Sequence, residues 1–357
     1  MSKHPYRSLP DKAFWRKAVS APAPADVDPV GVFDLRIEAD TKVATAGSCF
    51  AQHIARHLQE YGYNYFVAEP GHPILPPSVA AANNYGLFSC RYGNIYTTRQ
   101  LLQLIDRAYG RFEPAEDVWS DAPDLFLDPF RPTTQPRGYI SEEEMRLDRA
   151  QHLAAVRRMF EELDVFVFTM GLTECWRSSQ DGAVFPLCPG VEGGEFDPSR
   201  HEFYNQTVAD VVSDLTSFAE ALSRVNARAQ IVLTVSPVPL AATAVPGAHV
   251  LAATTYSKSV LRVAADEVRS RLHNVHYFPS YEIITGNFSR GAYYAADLRN
   301  VVEDGVEHVM RLFMQHATGG QLLPRPTDRS DTNKQSYFAA AQRLVDVECD
   351  ELRLDTR

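Results

Sequence analysis

The sequence predicts an α/β protein with a mostly parallel sheet in a three-layer α/β/α sandwich, and three observations predict it. Residues 164–170, DVFVFTM, form a continuous apolar run of strand length, as a central parallel strand covered on both faces requires. Runs of similar character at 42–46, 230–235 and 275–278 alternate with stretches whose apolar residues recur at helical spacing. Such alternation means parallel strands joined by right-handed crossovers. The chain has 357 residues, 45% of them hydrophobic, enough to bury a sizeable core.

In chain order, residues 1–41 are rich in Pro and Ala and read as an extended arm, with Phe14 and Trp15 expected to dock on the domain surface. Residues 42–58, KVATAGSCFAQHIARHL, read as strand, small-residue turn and helix, with Ile54, Ala55, Leu58 and Tyr61 on the buried side. Gly62 is placed just past the helix end, and Tyr63, Tyr65 and Val67 suggest a second strand. Residues 71–77 are loop. A helix is expected from Thr97 or Thr98, burying Leu101, Leu102, Ile105 and Ala108 and stopping at Gly110. Residues 111–139 show no period and read as a covering loop or a lid. Ser141 with Glu144 has the capping-box pattern, opening a helix that carries Met145, Val156, Met159, Phe160 and Leu163. Further helices are expected over 207–225, around Val260 to Leu272, and over Val306 to Phe313. The run GVEGG at 190–194 is read as a turn, because no strand and helix flank it as a phosphate loop requires.

No internal repeat or linker divides the chain. The expected organisation is the arm (1–41), one domain (42–320) with an insertion at about 88–160, and a tail (321–357) with one helix, a candidate for docking or homo-oligomer contacts.

Charge excludes several function classes. There are 35 basic and 45 acidic residues, a net charge of −10, and the basic residues are scattered, so neither a nucleic-acid surface nor attraction to anionic membrane is indicated. No run of about 18 apolar residues occurs and the first residues lack the apolar core of a signal peptide, so cytoplasmic residence is expected. The five cysteines, Cys49, Cys90, Cys175, Cys188 and Cys349, are an odd set without C-x-x-C spacing, which argues for thiols rather than disulfides or a zinc site. No metal and no cofactor is expected.

The candidate chemistry starts at residues 47–49. A strand, tight turn and helix put the Ser48 hydroxyl and the Cys49 thiol at a strand's carboxyl end, under a helix amino end that favours an anion. Other strand ends carry Gly171, Thr173 and Glu174 in GLTE, and the loop Ser236 to Pro239. Lys258 and Arg262, one helical turn apart, could grip an anionic substrate, although solvated helix charges are the usual outcome of such a pair.

The string Gly47-Ser48-Cys49-Phe50-Ala51 resembles the motif of the GSCFA family, which is similar in fold to the SGNH (GDSL-type) ester hydrolases. The segments NYGLFSCRYGNIYTTRQLLQLI (84–105), FVFTMGLTECW (166–176), TVSPVPL (234–240), YSKSVLR (256–262) and DLRNVVEDGVEHVM (297–310) also resemble that family, so the likeness spans roughly residues 1–320. It implies a flavodoxin-like strand order and an acyl-ester hydrolase or acyl transferase, with a small-molecule or carbohydrate ester as substrate. Laid on the GDSL pattern, Cys49 takes the nucleophile's place; with the loop shifted by one residue, Ser48 takes it. Thr173 falls where the superfamily has its oxyanion-holding Asn, aided by main-chain amides at Cys49 and Gly86, with Asn84 and Gly171 also in the substrate region. Glu174 would orient the site or accept a proton. The departure is at DLRN: the place of the general-base His is taken by Asn300, which cannot accept a proton at neutral pH, leaving Asp297, His249 or His308 as substitutes. A missing base harms a serine more than a cysteine, since a stabilised thiolate needs no proton removed during attack. The different reading that this departure leaves open is a catalytically silent binding module that retains the pocket.

Overall fold

The computed structural model describes residues 4–48, 50–122 and 125–319. Its centre is a four-stranded, all-parallel sheet of β1 (Val43–Gly47), β4 (Val165–Met170), β8 (Gln230–Val235) and β9 (Val275–Tyr277), side by side in that order. The alternating side chains of β4 show why the protein has three layers. Phe166, Phe168 and Met170 join one core with α3 (Thr98–Ala108), α4 (Glu142–Glu162), α5 (Val208–Val225) and α6 (Val250–Arg271). Val165 and Val167 join the other with α1 (Ala51–Glu60), α7 (Ser280–Thr285) and α8 (Glu303–Thr318). A strand buried on both faces cannot alternate with polar residues, which is why it reads as one apolar run.

The expected second strand is reduced to a single parallel bridge, Val43 to Tyr65. Beyond it, side chains replace a strand: the Thr45 amide donates to Ser89 Oγ at 3.0 Å, and the Tyr92 hydroxyl donates to the Thr45 carbonyl. Counting that bridge as strand two, the order is the flavodoxin-like 2-1-3-4-5.

Other expectations meet local physics. Thr97 caps α3 with a full capping box to Gln100, and Thr207 caps α5 likewise with Asp210. Ser141 accepts from the Glu144 amide, but the Glu144 carboxylate turns to the Ile140 amide at 3.0 Å, so only half of that box forms. The loop after His72 contains the short α2 (Pro77–Ala82), with proline at its first position. The aperiodic stretch 111–139 holds an antiparallel hairpin, β2 (Trp119–Ala122) and β3 (Leu125–Leu127). A second sheet, absent from the sequence reading, pairs β5 (Glu174–Ser178) with β6 (Val184–Phe185) and β7 (His201–Asn205). Residues 190–194 are a turn, closed by the Gly190 amide on the Gly193 carbonyl. The arm does dock, but not through Trp15, which is 64% exposed; Val27, Val30, Leu35 and Ile37 enter the core instead. His308 holds it there, with Nδ1 2.8 Å from the Tyr293 hydroxyl and Nε2 3.0 Å from the Val27 carbonyl. The expected tail helix and Cys349 lie outside the described residues; Cys90, Cys175 and Cys188 are free thiols. No described helix is long and apolar enough to cross a membrane.

Residues between α3 and α4 are tied down by buried ions. Arg131 donates to Asp128 at 2.9 Å and to Asp148 at 2.5 Å, Arg149 reaches Asp128 at 3.1 Å, and Arg91 reaches Asp148 at 3.0 Å. Burial would raise the Asp128 carboxyl, but Arg131, Arg149 and Arg107 around it hold it well below the carboxylate range. Removing one partner from such a network strands a buried charge, so Arg131→Met should cost about 3–5 kcal/mol. The urea midpoint measures this; a cost under about 1 kcal/mol would show that the network does not hold this region.

Candidate active site

The site is built where β1, β4 and β8 end. Gly47 closes β1 against Thr169 of β4, and the Ser48 amide donates to the Thr169 carbonyl at 3.1 Å. Thr169 is in turn register partner of Thr234 on β8, and the Ser236 amide donates to the Met170 carbonyl at 2.8 Å. Residues 94–96 lie along the same rim: the Ile95 amide donates to the Gly47 carbonyl at 2.9 Å, and the Tyr96 carbonyl accepts from the Gly171 amide at 2.9 Å. The stretch 294–301 arrives on the loop after β8, with the Tyr294 hydroxyl on the Pro237 carbonyl at 2.8 Å and Arg299 Nε on the Pro239 carbonyl at 3.2 Å. Gly47 and Ser48, the segment GLTE and the stretch 294–301, each more than a hundred residues from the next, thus reach the ends of these strands or the loop that leaves them.

Ser48 is 3% exposed, and its Oγ has no hydrogen-bond partner. Thr169 Oγ1, Thr234 Oγ1, Ser280 Oγ and Gln52 Oε1 are likewise buried and unpartnered, and all belong to these strand ends or to the first turns of α1 and α7. Leaving a buried polar atom unpaired costs about 1–3 kcal/mol, an expense that points to a functional site. Cys49 lies outside the described residues.

Several expected side chains are committed elsewhere. Thr173 is fully buried, but its hydroxyl donates to Asn205 Oδ1 at 2.6 Å, a bond supplied by β7, which the sequence reading did not contain. Glu174 accepts from Thr243 Oγ1 at 2.6 Å and from the Ala244 amide at 3.1 Å, fastening the loop after β8 to β5. Asp297 and Asn300 are exposed and bind each other: Asp297 Oδ1 accepts both the Arg299 and Asn300 amides at 3.0 Å, and Oδ2 accepts Asn300 Nδ2 at 2.6 Å. Burial tends to raise the Asp297 carboxyl, but these bonds bring it below its ordinary value, as suits a turn-former. His249 is an exposed N-cap of α6, its Nδ1 accepting from the Leu251 amide at 3.1 Å. Asn84 (φ +58°) and Gly86 (φ +76°) stand in the turn after α2, where Asn84 Nδ2 donates to the Thr133 carbonyl at 3.4 Å. No cluster of three His, Cys, Asp or Glu fit to hold a metal is assembled among the described residues.

Lys258 corrects the expectation of a solvated pair. Arg262 does sit at the surface side, 2.6 Å from Glu282 and over the Tyr277 ring, but Lys258 is 2% exposed and donates from Nζ to the Gly171 carbonyl at 2.5 Å. Beside it, Ser257 Oγ accepts the Thr173 amide at 2.9 Å. The apolar context of α6 gave no sign of this, because the lysine reaches along the strand ends rather than into a helix interface.

His53, on the first turn of α1, is also unusual: burial, with Arg56 and His57 adding, pushes it down to about 3. The folded protein therefore holds this ring neutral while the unfolded chain takes up a proton near pH 6.5. Stability present above pH 6.5 is lost as the pH falls from there toward 3, by at most about 1.4 kcal/mol per pH unit for the one group. Unfolding free energies of the wild type and His53→Gln between pH 7 and 4 should converge toward the acid end; parallel curves would contradict this.

The sequence model of the GSCFA family matches residues 42–313, a span that contains all the rim segments above. No curated protein matches the chain.

Proposed function

The chain belongs to the GSCFA family, and on that footing we propose that it is an SGNH-like acyl-ester hydrolase or acyl transferase, its nucleophile in the turn Gly47-Ser48-Cys49. The observation that carries this reading is the Ser48 hydroxyl, 3% exposed and without a partner, at the end of β1 where α1 begins. Parallel sheets bind ligands at this end of their strands, and the amino end of a helix stabilises negative charge there.

In this reading Cys49 Sγ or Ser48 Oγ adds to the ester carbonyl, and its proton passes to the alcohol oxygen as the acyl C–O bond breaks. An acyl-enzyme and a free alcohol result. Water, or the hydroxyl of an acceptor, then adds to the acyl carbon; the bond to the enzyme breaks, and the acceptor's proton returns to the nucleophile. The positive end of α1 faces the oxyanion of both steps. Thr173 would contribute a hydrogen bond on release from Asn205, and Glu174 follows it as the first residue of β5. A carbohydrate ester is the substrate class that the family likeness suggests.

The test is turnover of p-nitrophenyl acetate and of an acetylated monosaccharide by the purified chain. Release of p-nitrophenol with a burst equal to the enzyme concentration supports the reading. The mutual bonding of Asp297 and Asn300 favours a second one, a binding module without a base; for it, calorimetry would show sugar binding while neither ester is cleaved.

A further inference from the structure

We propose that the cavity enclosed by α3, residues 92–95 and Phe130 is a binding site for a carboxylate, held by the edge of the Arg107 guanidinium. The cavity has a volume of about 30 Å³, and the acyl-transfer reading makes no use of it. Gln100, Gln103 and Arg107, on one stripe of α3, supply polar lining. Ile95, Leu104 and Val184, all buried, supply an apolar wall.

Three observations support the assignment. The first is the state of Arg107. Its guanidinium lies over the Phe130 ring, 3.9 Å from the centroid, and Phe130 is itself stacked on Phe185. That contact occupies a face of the guanidinium and leaves the N–H groups, which lie in its plane, unspent. Among the described residues they make no hydrogen bond and no ion pair. The Asp128 carboxylate is already bonded to Arg131 at 2.9 Å and to Arg149 at 3.1 Å. Burial pulls Arg107 down to about 10, with Asp128 opposing and Arg149 and Arg131 adding, so at neutral pH it remains a cation.

The second is that the usual task of such a residue is done by another. An arginine in the last turn of a helix ordinarily answers the free carbonyls there. On α3 this falls to Arg157, whose Nε and Nη2 donate to the Ala108 carbonyl at 3.0 and 2.7 Å. Arg107 is not needed for it.

The third is what the neighbouring groups leave over. Gln103 is spent on β6 and its turn: Nε2 donates to the Gly182 carbonyl and Oε1 accepts the Val184 amide, both at 2.8 Å. Tyr92 gives its hydroxyl to the Thr45 carbonyl, and Asn94 is engaged as well. Gln100 Oε1 accepts the Tyr96 and Thr97 amides at 3.0 Å, which leaves Nε2 to donate. What α3 offers the cavity is therefore donors alone, a guanidinium edge and an amide N–H. A planar anion with two oxygens matches that edge fork to fork, and the apolar wall suits a short hydrocarbon stem behind it. The cavity also adjoins the candidate active site, since the Ile95 amide donates to the Gly47 carbonyl at 2.9 Å. The carboxylate belongs either to an anionic ester substrate or to a separate metabolite, and the test separates the two.

The test titrates the wild type with acetate, butyrate and succinate by calorimetry, with butyramide as the neutral match of butyrate. A carboxylate should bind with a Kd on the order of 1 mM, as suits so small a ligand, and butyramide should not bind. Arg107→Met, with its fold verified by circular dichroism, should weaken binding at least about tenfold, the worth of charge-assisted bonds. Arg107→Lys, which keeps the charge but not the fork, should fall between. Inhibition of p-nitrophenyl acetate cleavage that is competitive with the ester assigns the carboxylate to the substrate; binding without competition assigns it to a separate metabolite. Equal binding of butyramide, no binding of any of the three carboxylates, or undiminished binding by a folded Arg107→Met overturns the proposal. If that variant does not fold, the comparison of butyrate with butyramide on the wild type decides in its place. The titrations do not depend on turnover, so a wild type that cleaves no ester overturns the acyl-transfer reading and leaves this site to be judged by binding.

Discussion

Gly47→Ala should leave the protein barely folded. Gly47 has φ +139°, and a Cβ added there would lie 2.3 Å from the Thr169 carbonyl oxygen and 2.8 Å from the Thr169 nitrogen. Both atoms belong to the backbone of the central strand, so no rotamer change relieves the clash. The backbone conformation alone costs a side chain about 1–3 kcal/mol, and overpacking against a fixed neighbour costs about as much again. The sum is a large share of a total stability of about 5–15 kcal/mol. The substitution would also part β1 from β4 where the Ser48 amide meets Thr169. Gly171→Ala is the control: its φ is not positive, and its added Cβ would meet the Tyr96 side chain at 3.0 Å and its backbone at 3.3 Å. A smaller loss is expected there. Urea midpoints of the two variants check this; a Gly47→Ala cost below that of Gly171→Ala would contradict the close backbone approach.

The second large effect falls on catalysis. Of Ser48→Ala and Cys49→Ala, one should lower kcat for p-nitrophenyl acetate by at least about 10³-fold, because removing a nucleophile removes the covalent path itself. The other should stay within about tenfold. Each residue has a physical claim. Ser48 is the one with a buried, unpartnered hydroxyl at the strand end. Cys49 has the chemistry that tolerates a missing base, since a thiolate beside a helix amino end forms without a proton acceptor in the transition state. Steady-state rates with active-site titration separate them, and two variants that both stay within tenfold would contradict a nucleophile in this turn.

The central sheet was legible in the sequence because buried parallel strands carry the strongest apolar signal: the predicted run 164–170 contains β4, and 230–235 is β8. Helix starts were legible for a local reason, a Thr or Ser whose side chain meets an amide three residues on. The strand near Tyr65 was over-read, because Ser89 and Tyr92, distant in sequence, bond the edge of β1 that a full strand would have paired. The sheet of β5, β6 and β7 is not legible in the sequence because its strands are two to five residues long and β7 reaches β5 across the long stretch that follows β6. Its absence from the reading mattered at the site, where β7 brings Asn205 to Thr173. Residue types at the rim were legible, but not their commitments: nothing in DLRN reveals that Asp297 and Asn300 bond each other, and nothing in YSKSVLR separates buried Lys258 from surface Arg262.

The most direct measurement is intact-mass analysis of the wild type quenched during p-nitrophenyl acetate turnover, followed by peptide mapping. The account predicts one added acetyl group, +42 Da by the chemistry of acetyl-for-hydrogen exchange, on the peptide that carries residues 48 and 49. Turnover with an acetyl group trapped only on some other segment, or an enzyme that is never acylated, would contradict it.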